Sequence, residues 1–456
     1  MSPLIKKRHS WLATVAVMLM AIPLAAQTQP SPPEALTLQA ATDYALANNP
    51  ELLGMQQEVR MAEANLRLAR AARGVTASLS AYATSATASN MITAPAEVMP
   101  DDMRMADPGR ALAADVRISK SLSSGGRLGA GITQRQRLLV ATEADIEAAR
   151  LQVYYDTRAA YRMVLGRQKL LDVRRKEVEA LQELVRVDEV KLEAGKIPLY
   201  YFLRDKTRLA DAQQELTNAQ RDVEVGLYEL SVMLGLERPR QLTLTDALGF
   251  VPLETNEEDA LKAAAANRPE LTAVRARIAA ASAGIEVARA AYRPQVAATV
   301  IFDAMTDFGD MGSSGGYTAA LVGSLPLLDA GSRGAEVAMA QAQQQQLTQR
   351  ERQLTQSIAR DVLTAQSSLK AADQNIRTSL EAQASAEEDY RAARLRYDVG
   401  KAINLEPLDA LASLVRARVN AAQALYEYNN AVDALQRATG RYAPAESPTV
   451  TRDNNQ

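Results

Sequence analysis

Residues 75–84 read VTASLSAYAT, with Val, Ala, Leu, Ala and Ala at odd positions and Thr, Ser, Ser, Tyr and Thr at even ones. In residues 112–122, Leu112, Ala114, Val116, Ile118 and Leu122 fall on one side. Asp115, Arg117, Ser119 and Ser121 fall on the other, with Lys120 out of phase. A third segment alternates Val296, Ala298, Val300, Phe302 and Ala304 with Gln295, Thr299 and Asp303, and a fourth places Tyr317, Ala319, Leu321, Gly323 and Leu325 on one face. Alternation over about ten residues with a polar second face is the pattern of a transmembrane barrel strand, although strands half-buried in a small soluble sheet share it. Residues 85–110 and 306–315, rich in Pro, Asp, Met or Gly, read as the hairpin loops.

The flanking segments weigh against the soluble sheet. Between Gly334 and Gly400 there are 65 residues with no Gly or Pro, and between Gly131 and Gly195 only Gly166 interrupts. As a helix, 65 residues make a rod of roughly 100 Å, far longer than a globular helix. Heptad-like spacing runs through Leu171, Val178, Leu181, Val185 and Leu192, and through Leu216, Val223, Leu227, Leu230 and Leu234. It returns in Leu354, Ile358, Val362, Leu369, Ile376 and Leu380. The stripes are thin and the remaining positions are Gln, Arg, Glu and Ala, so these helices bury a coiled-coil seam, not a compact core.

The whole plan is written twice. Asn48-Asn49-Pro50-Glu51-Leu52 returns 219 positions later as Asn267-Arg268-Pro269-Glu270-Leu271, and Ala69-Arg70-Ala71-Ala72 returns at the same offset. Glu193-Ala194-Gly195-Lys196 matches Asp398-Val399-Gly400-Lys401, and each of these glycines precedes another, Gly235 or Gly440, by 40 positions. Ordered anchors at matched spacing mark an internal repeat. The expected organisation is a first repeat over 36–235, with a helix over about 37–73, a strand pair in 75–123, a long helix and a return helix. A linker follows at 236–256. The second repeat covers 257–441, with a helix over about 257–292 and a strand pair in 295–327, and a flexible tail occupies 442–456. Four strands cannot close a barrel, because membrane barrels need about eight or more and open edges are forbidden in lipid. Several copies must therefore share one barrel.

Composition narrows the chemistry. The chain has 456 residues, no Cys, one Trp, 4% aromatics and a single His, His9. Thiol nucleophiles, disulfides and Cys-based metal sites are excluded. The N-terminus carries Lys6, Lys7 and Arg8, an apolar run from Trp11 to Ile22, and small residues at Ala25 and Ala26. It reads as a secretory signal peptide, residues 1–26, cleaved near Ala26. A mature chain would then lack imidazole, which removes His triads and His metal sites. Its net charge would shift from −2 to −5, which offers no electrostatic case for nucleic acid.

At this point the sequence resembles the outer-membrane factor family, the TolC-type exit ducts. The resemblance is carried by Leu36-Thr37-Leu38 with Ala41 and Ala45-Leu46, by Asn49-Pro50-Glu51-Leu52, and by Arg289-Ala-Ala-Tyr-Arg-Pro294. Leu325-Pro326-Leu327-Leu328-Asp329-Ala330-Gly331 and Arg394-Leu395-Arg396-Tyr397-Asp398-Val399-Gly400 complete it. It covers residues 36–441. The resemblance implies a homotrimer in outer-membrane lipid, with a 12-strand barrel and an α-helical periplasmic tunnel made of long antiparallel coiled-coil helices. It implies a periplasmic adaptor and an inner-membrane pump or ABC transporter as partners, no cofactor, and no catalysis. Residues 236–256 would lie midway along the tunnel. The turns at Gly195, Lys196, Gly400 and Lys401 would be the periplasmic tips that meet the adaptor.

By the same resemblance, the acidic gate residues fall on Glu406 and Asp409, and a Tyr of the closing network on Tyr397. The family's latching Arg falls on Ala402, which implies a different latch here. A solvated charged helix face is the other reading of Glu406 and Asp409. A second departure is Val75, which stands where the second repeat has Pro294, so Gly74 must supply the bend into the first strand. No phosphate loop, dinucleotide fingerprint or catalytic acid pair is present. Glu387-Glu388-Asp389 and Glu257-Glu258-Asp259 read as solvated helix surface. The competing class is a soluble periplasmic coiled-coil scaffold or adaptor. An exported hydrolase is disfavoured, since neither His nor Cys nor a serine-nucleophile motif is available.

Overall fold

The computed structural model describes residues 35–85, 110–236, 242–307 and 313–442. The expected signal peptide, most of the first hairpin loop, residues 237–241 of the linker and the tail beyond 442 lie outside the described residues. In chain order the body contains β1 (Ala35–Leu36), α1 (Leu38–Asn48), α2 (Pro50–Ala71), β2 (Val75–Ser85) and β3 (Arg110–Ser123). It continues with α3 (Arg127–Glu193), α4 (Leu199–Met233), β4 (Thr243–Leu244), α5 (Glu257–Asn267) and α6 (Pro269–Arg289). Finally come β5 (Gln295–Asp307), β6 (Ser313–Ser324), α7 (Ser332–Asp398) and α8 (Leu405–Ala438). α3 and α7 are 67 residues each, roughly 100 Å of helix. Among the described residues no helix is long and apolar enough to cross a membrane.

The four long strands form one antiparallel sheet in the order β2-β3-β5-β6. Its register keeps the two faces chemically distinct. Leu79, Val116, Phe302 and Tyr317 form one row across all four strands, and Ala77, Ile118, Val300 and Ala319 the next. On the other face Thr76, Ser119, Thr299 and Ala320 are aligned, as are Ser80, Asp115, Asp303 and Gly316. Lys120 belongs to the apolar face in the row Val75-Lys120-Ala298-Leu321. That row lies at the end of the sheet nearest the helices, where a long side chain can carry its ammonium to an interface. A bulge between Ser121 and Ser123 follows at once. β5 and β6 extend to Asp307 and from Ser313, so their connection is shorter than the expected 306–315. β6 ends at Ser324, short of the expected 327, because Pro326 cannot donate to a ladder.

The expected single helices over 37–73 and 257–292 are each broken, at Asn49 and Arg268. Pro50 and Pro269 lack an amide donor and push the preceding residue out of helical backbone; Asn49 has ψ 124° and Arg268 ψ 113°. Each break receives the end of a return helix. α4 ends in Gly235 (φ +76°), with Leu236 N–H bonded to Ser231 O, and α8 ends in Gly440 (φ +70°), with Arg441 N–H bonded to Gln436 O. These are glycine caps of the Schellman type. Asn49 Nδ2 donates to Met233 O at 3.5 Å, and Arg268 reaches Arg437 O and Ala438 O at 3.4 and 3.5 Å. The carbonyls that end each return helix thus meet a donor from the facing break.

Packing between helices follows heptads, with corrections on each long helix and on α4. Along the shaft of α7 the buried positions are Ile358, Val362, Ala365, Leu369, Ala372 and Ile376, in steps of four and three, while the expected Leu354 is half-buried and Leu380 exposed. On α4 the fully buried track is Asp205, Ala212, Ala219 and Gly226, seven apart, while Leu216, Val223 and Leu227 are half-buried. Small side chains let α4 approach α3 closely; a Cβ on Gly226 would stand 3.2 Å from Val164 and 2.7 Å from Arg167. On α3 the seam runs through Leu171, Val178, Leu181, Leu184 and Asp188 in place of Val185 and Leu192. Midway, β1 pairs in parallel with β4. Tyr161 donates to Leu36 O at 2.8 Å and to Asp246 at 3.1 Å. Arg158 and Arg162 of α3 clasp Asp433 of α8 at 3.0 and 2.9 Å, all three buried.

Gly440 and Gly400 (φ +75°) share a backbone conformation but not surroundings. A Cβ on Gly440 would lie 2.9 Å from Arg268 N, whereas Gly400 faces open space. Gly400→Ala is expected to cost about 1–2 kcal/mol from left-handed backbone alone. Gly440→Ala should cost about 1–3 kcal/mol more from overpacking. Paired thermal unfolding in detergent, followed by circular dichroism, checks the difference.

Candidate functional site at the helical tips

α3 passes into α4 through residues 194–198, and α7 into α8 through residues 399–404. Gly195 (φ +67°) and Gly400 close these helices with Lys196 N–H on Lys191 O and Lys401 N–H on Arg396 O, both at 2.8 Å. Gly195, Lys196, Gly400 and Lys401 are all exposed. No other element covers them among the described residues.

Just behind the turns, four polar side chains from four segments are buried together. Asp188 of α3 and Asp205 of α4 are fully buried, Asn404 is 2% exposed and Tyr397 of α7 is 3% exposed. The Tyr397 hydroxyl donates to Asp188 Oδ1, and Asn404 Nδ2 donates to Asp188 Oδ2 and, at 2.7 Å, to Asp205 Oδ2. Asn404 Oδ1 accepts from Arg204. Asn404 immediately precedes α8, but its side chain makes no cap to that helix; it is spent on the two carboxylates. Asp205 Oδ1 has no hydrogen-bond donor, and Arg204 Nε stands 3.8 Å away. Lys191 donates to Tyr397 O at 3.1 Å and lies over its ring, 3.2 Å from the centroid.

The electrostatics follow from burial. Desolvation, then the neighbouring Asp188, pushes the Asp205 carboxyl up to about 7, against the favourable amide of Asn404. Desolvation likewise raises the Tyr397 hydroxyl, aided by its bond to Asp188. Lys191 is pushed down by burial, with Asp188 and Asp398 opposing. A cluster of this kind can hold a proton and tie four segments. The described residues contain no group of acidic or imidazole side chains suited to a metal ion.

The three residues singled out in the sequence do not converge. Tyr397 is in the buried cluster. Glu406 is half-exposed and pairs with Arg396 at 3.3 Å, and Asp409 is exposed on α8. Sequence reasoning missed Asp188, Asp205, Asn404, Arg204 and Lys191. Two of them carried a signal: Asp188 lies seven residues after Leu181, and Asp205 seven before Ala212, so both are carboxylates on seam positions.

A sheet with one apolar face, continued by paired coiled coils that end in exposed turns, defines the class of helical-barrel outer-membrane channels. The profile described as "Outer membrane efflux protein" matches residues 41–236 and 260–441, and the chain belongs to that family. By family it is an outer-membrane efflux protein. The pyoverdine export outer membrane protein OpmQ of Pseudomonas putida is 28% identical over 221 residues; the match spans 48% of this chain and about half (47%) of that protein's length. Among solved structures, CusC superposes with a TM-score of 0.74 at 20% identity, covering 89% of this chain and 92% of that one. The open state of Neisseria gonorrhoeae MtrE gives 0.74 at 19% identity, covering 89% of each chain. These likenesses show the fold.

Removing the Tyr397 hydroxyl leaves a buried oxygen of Asp188 without its donor. Tyr397→Phe is expected to weaken the tips by about 1–3 kcal/mol. Faster hydrogen exchange in peptides around residues 186–193 and 399–408, with none around 155–165, is the measurement.

Proposed function

We propose that the chain is the outer-membrane exit duct of a tripartite efflux pump or a type I secretion system. It conducts substrate passively to the exterior. The observation that carries this reading is the open sheet. β2 and β6 are edges, and the row Leu79-Val116-Phe302-Tyr317 is exposed, with Leu79 at 74% and Tyr317 at 75%. An apolar face of this extent belongs against lipid, and unpaired edges there must be closed by neighbouring copies. Three copies give 12 strands, within the range of membrane barrels, with the polar faces lining a water-filled pore.

On this reading residues 36–235 and 257–441 are two repeats of one half-unit joined by the linker 236–256. α3 and α7 carry the pore away from the sheet, and the tips are its closing end. Energy comes from an inner-membrane pump or ABC transporter through a periplasmic adaptor that engages the turns at Gly195, Lys196, Gly400 and Lys401. Tyr397 belongs to the closing network. Three copies of Glu406 and Asp409 place six carboxylates around a constriction that attracts cations. The name of the P. putida relative makes pyoverdine the first cargo to assay.

Purified protein in a planar bilayer is expected to conduct, and to run as three chains by light scattering in detergent. A trimer without conductance refutes the duct. Glu406→Gln combined with Asp409→Asn should weaken block by multivalent cations added from the tip side, measured as a rise of at least about tenfold in half-blocking concentration. An unchanged value removes both residues from the constriction.

A further inference from the structure

The buried cluster at the tips has one property that sealing a tube does not require. Asp188 and Asp205 lie on two helices of one hairpin, are both fully buried, and share the amide of Asn404 from the other hairpin. Counting donors gives Tyr397 O–H and one amide hydrogen to Asp188, and the second amide hydrogen to Asp205. Asp205 Oδ1 is left with none. Two buried carboxylates with so few donors repel each other when both are ionised, and a single proton held at Asp205 removes the repulsion.

The other charges facing the pair do not substitute for that proton. From α3, Lys191 is committed to the ring and carbonyl of Tyr397. From α4, Arg204 donates to Asn404 and stands 3.8 Å from Asp205. From α7, Arg394 pairs with Asp398 at 3.2 Å and with Glu183 at 3.6 Å. From the turn before α8, Asn404 supplies an amide and no charge.

We propose that Asp188, Asp205 and Asn404 form a proton-binding latch, in which one proton taken from the surrounding water holds the α3–α4 tip to the α7–α8 tip. Opening exposes Asp205 to water, where it ionises, so opening releases the proton. The sign follows from Asp205. In the closed cluster burial and the neighbouring Asp188 push its carboxyl up to about 7, against about 4 once exposed. The latch is therefore tightest at acid pH and weakens as pH rises through 7. Per protomer, the ratio of closed to open falls about tenfold between pH 6 and pH 8.5. This inference takes the tips as the closing end of the duct, as proposed above, but the proton site itself does not depend on conduction.

Two readouts separate the claims. Hydrogen exchange on the detergent-solubilised protein, corrected for the intrinsic pH dependence of exchange, follows peptides spanning 186–206 and 395–410 at pH 6 and pH 8.5, with residues 150–165 as reference. Protection of the tips is expected to fall about tenfold at pH 8.5 in the wild type and not in Asp205→Asn, whose amide imitates the protonated acid. Equal tip protection at both pH values in the wild type overturns the latch, whether or not the variant folds. So does a fall of the same size in Asp205→Asn. Bilayer recordings should show open probability rising above pH 7 in wild type and staying low in Asp205→Asn. Loss of protection without any change in opening supports the proton site and counts against the tips as the gate.

Discussion

The backbone of β2 and β6 sets the terms for the rest of the molecule. Each presents a row of amide and carbonyl groups with no partner within the chain, and hydrocarbon supplies none. A soluble sheet could blunt such edges with charge or a covering loop. Here the same sheet carries an apolar face and a polar face held in register over four strands. The strands run straight into helices in the same lateral order. α2 leads into β2, β3 into α3, α6 by way of a short 3-10 turn into β5, and β6 into α7. Whatever closes the sheet therefore closes the helical layer too. The cost of an unpaired edge in lipid is what leaves one chain incomplete by itself.

Carrying two short helices beside one of 67 residues requires a joint, and the chain solves it the same way twice. A proline just past a break turns the chain, and a left-handed glycine ends the return helix against that break. The contact is tight enough that a Cβ on Gly235 would meet Asn48 O at 2.7 Å. Asn49 and Arg268 differ chemically yet do the same work, each donating to the last carbonyls of the facing helix. The joint is thus a property of backbone geometry, and side-chain identity is free to vary around it.

Much of this was legible in the sequence because strand and helix periods are short-range. Alternation from residue 75 onward separated the two sheet faces. Absence of Gly and Pro gave the two long helices. The breaks at Asn49 and Arg268 were not read, although Pro50 and Pro269 stand beside them, because the helical pattern continues on both sides. The tip cluster was not legible. Tyr397 came by resemblance alone. Sorting heptads by large apolar residues passed over Asp188 and Asp205, which occupy seam positions where a carboxylate reads as a misplaced surface residue. Their meeting with Asn404, some two hundred residues away in the chain, is a tertiary fact that no local period encodes.

That the seam turns polar where it ends has a physical rationale. An apolar seam gains from area and has no direction, so continuing Leu181 and Leu184 to the turns would glue the tips by the same interaction that holds the shafts. Buried carboxylates do the opposite. Their removal from water costs nearly as much as their hydrogen bonds return, and they regain solvation when the tips separate. The cluster therefore adds little to stability while fixing one arrangement of α3, α4, α7 and the turn before α8. Mid-shaft, the Arg158–Arg162–Asp433 clasp has two cations for its one carboxylate and stays buried among packed helices. At the tips the balance is reversed, two acids with too few donors beside exposed turns, which leaves the end of the molecule as the part least committed to one state.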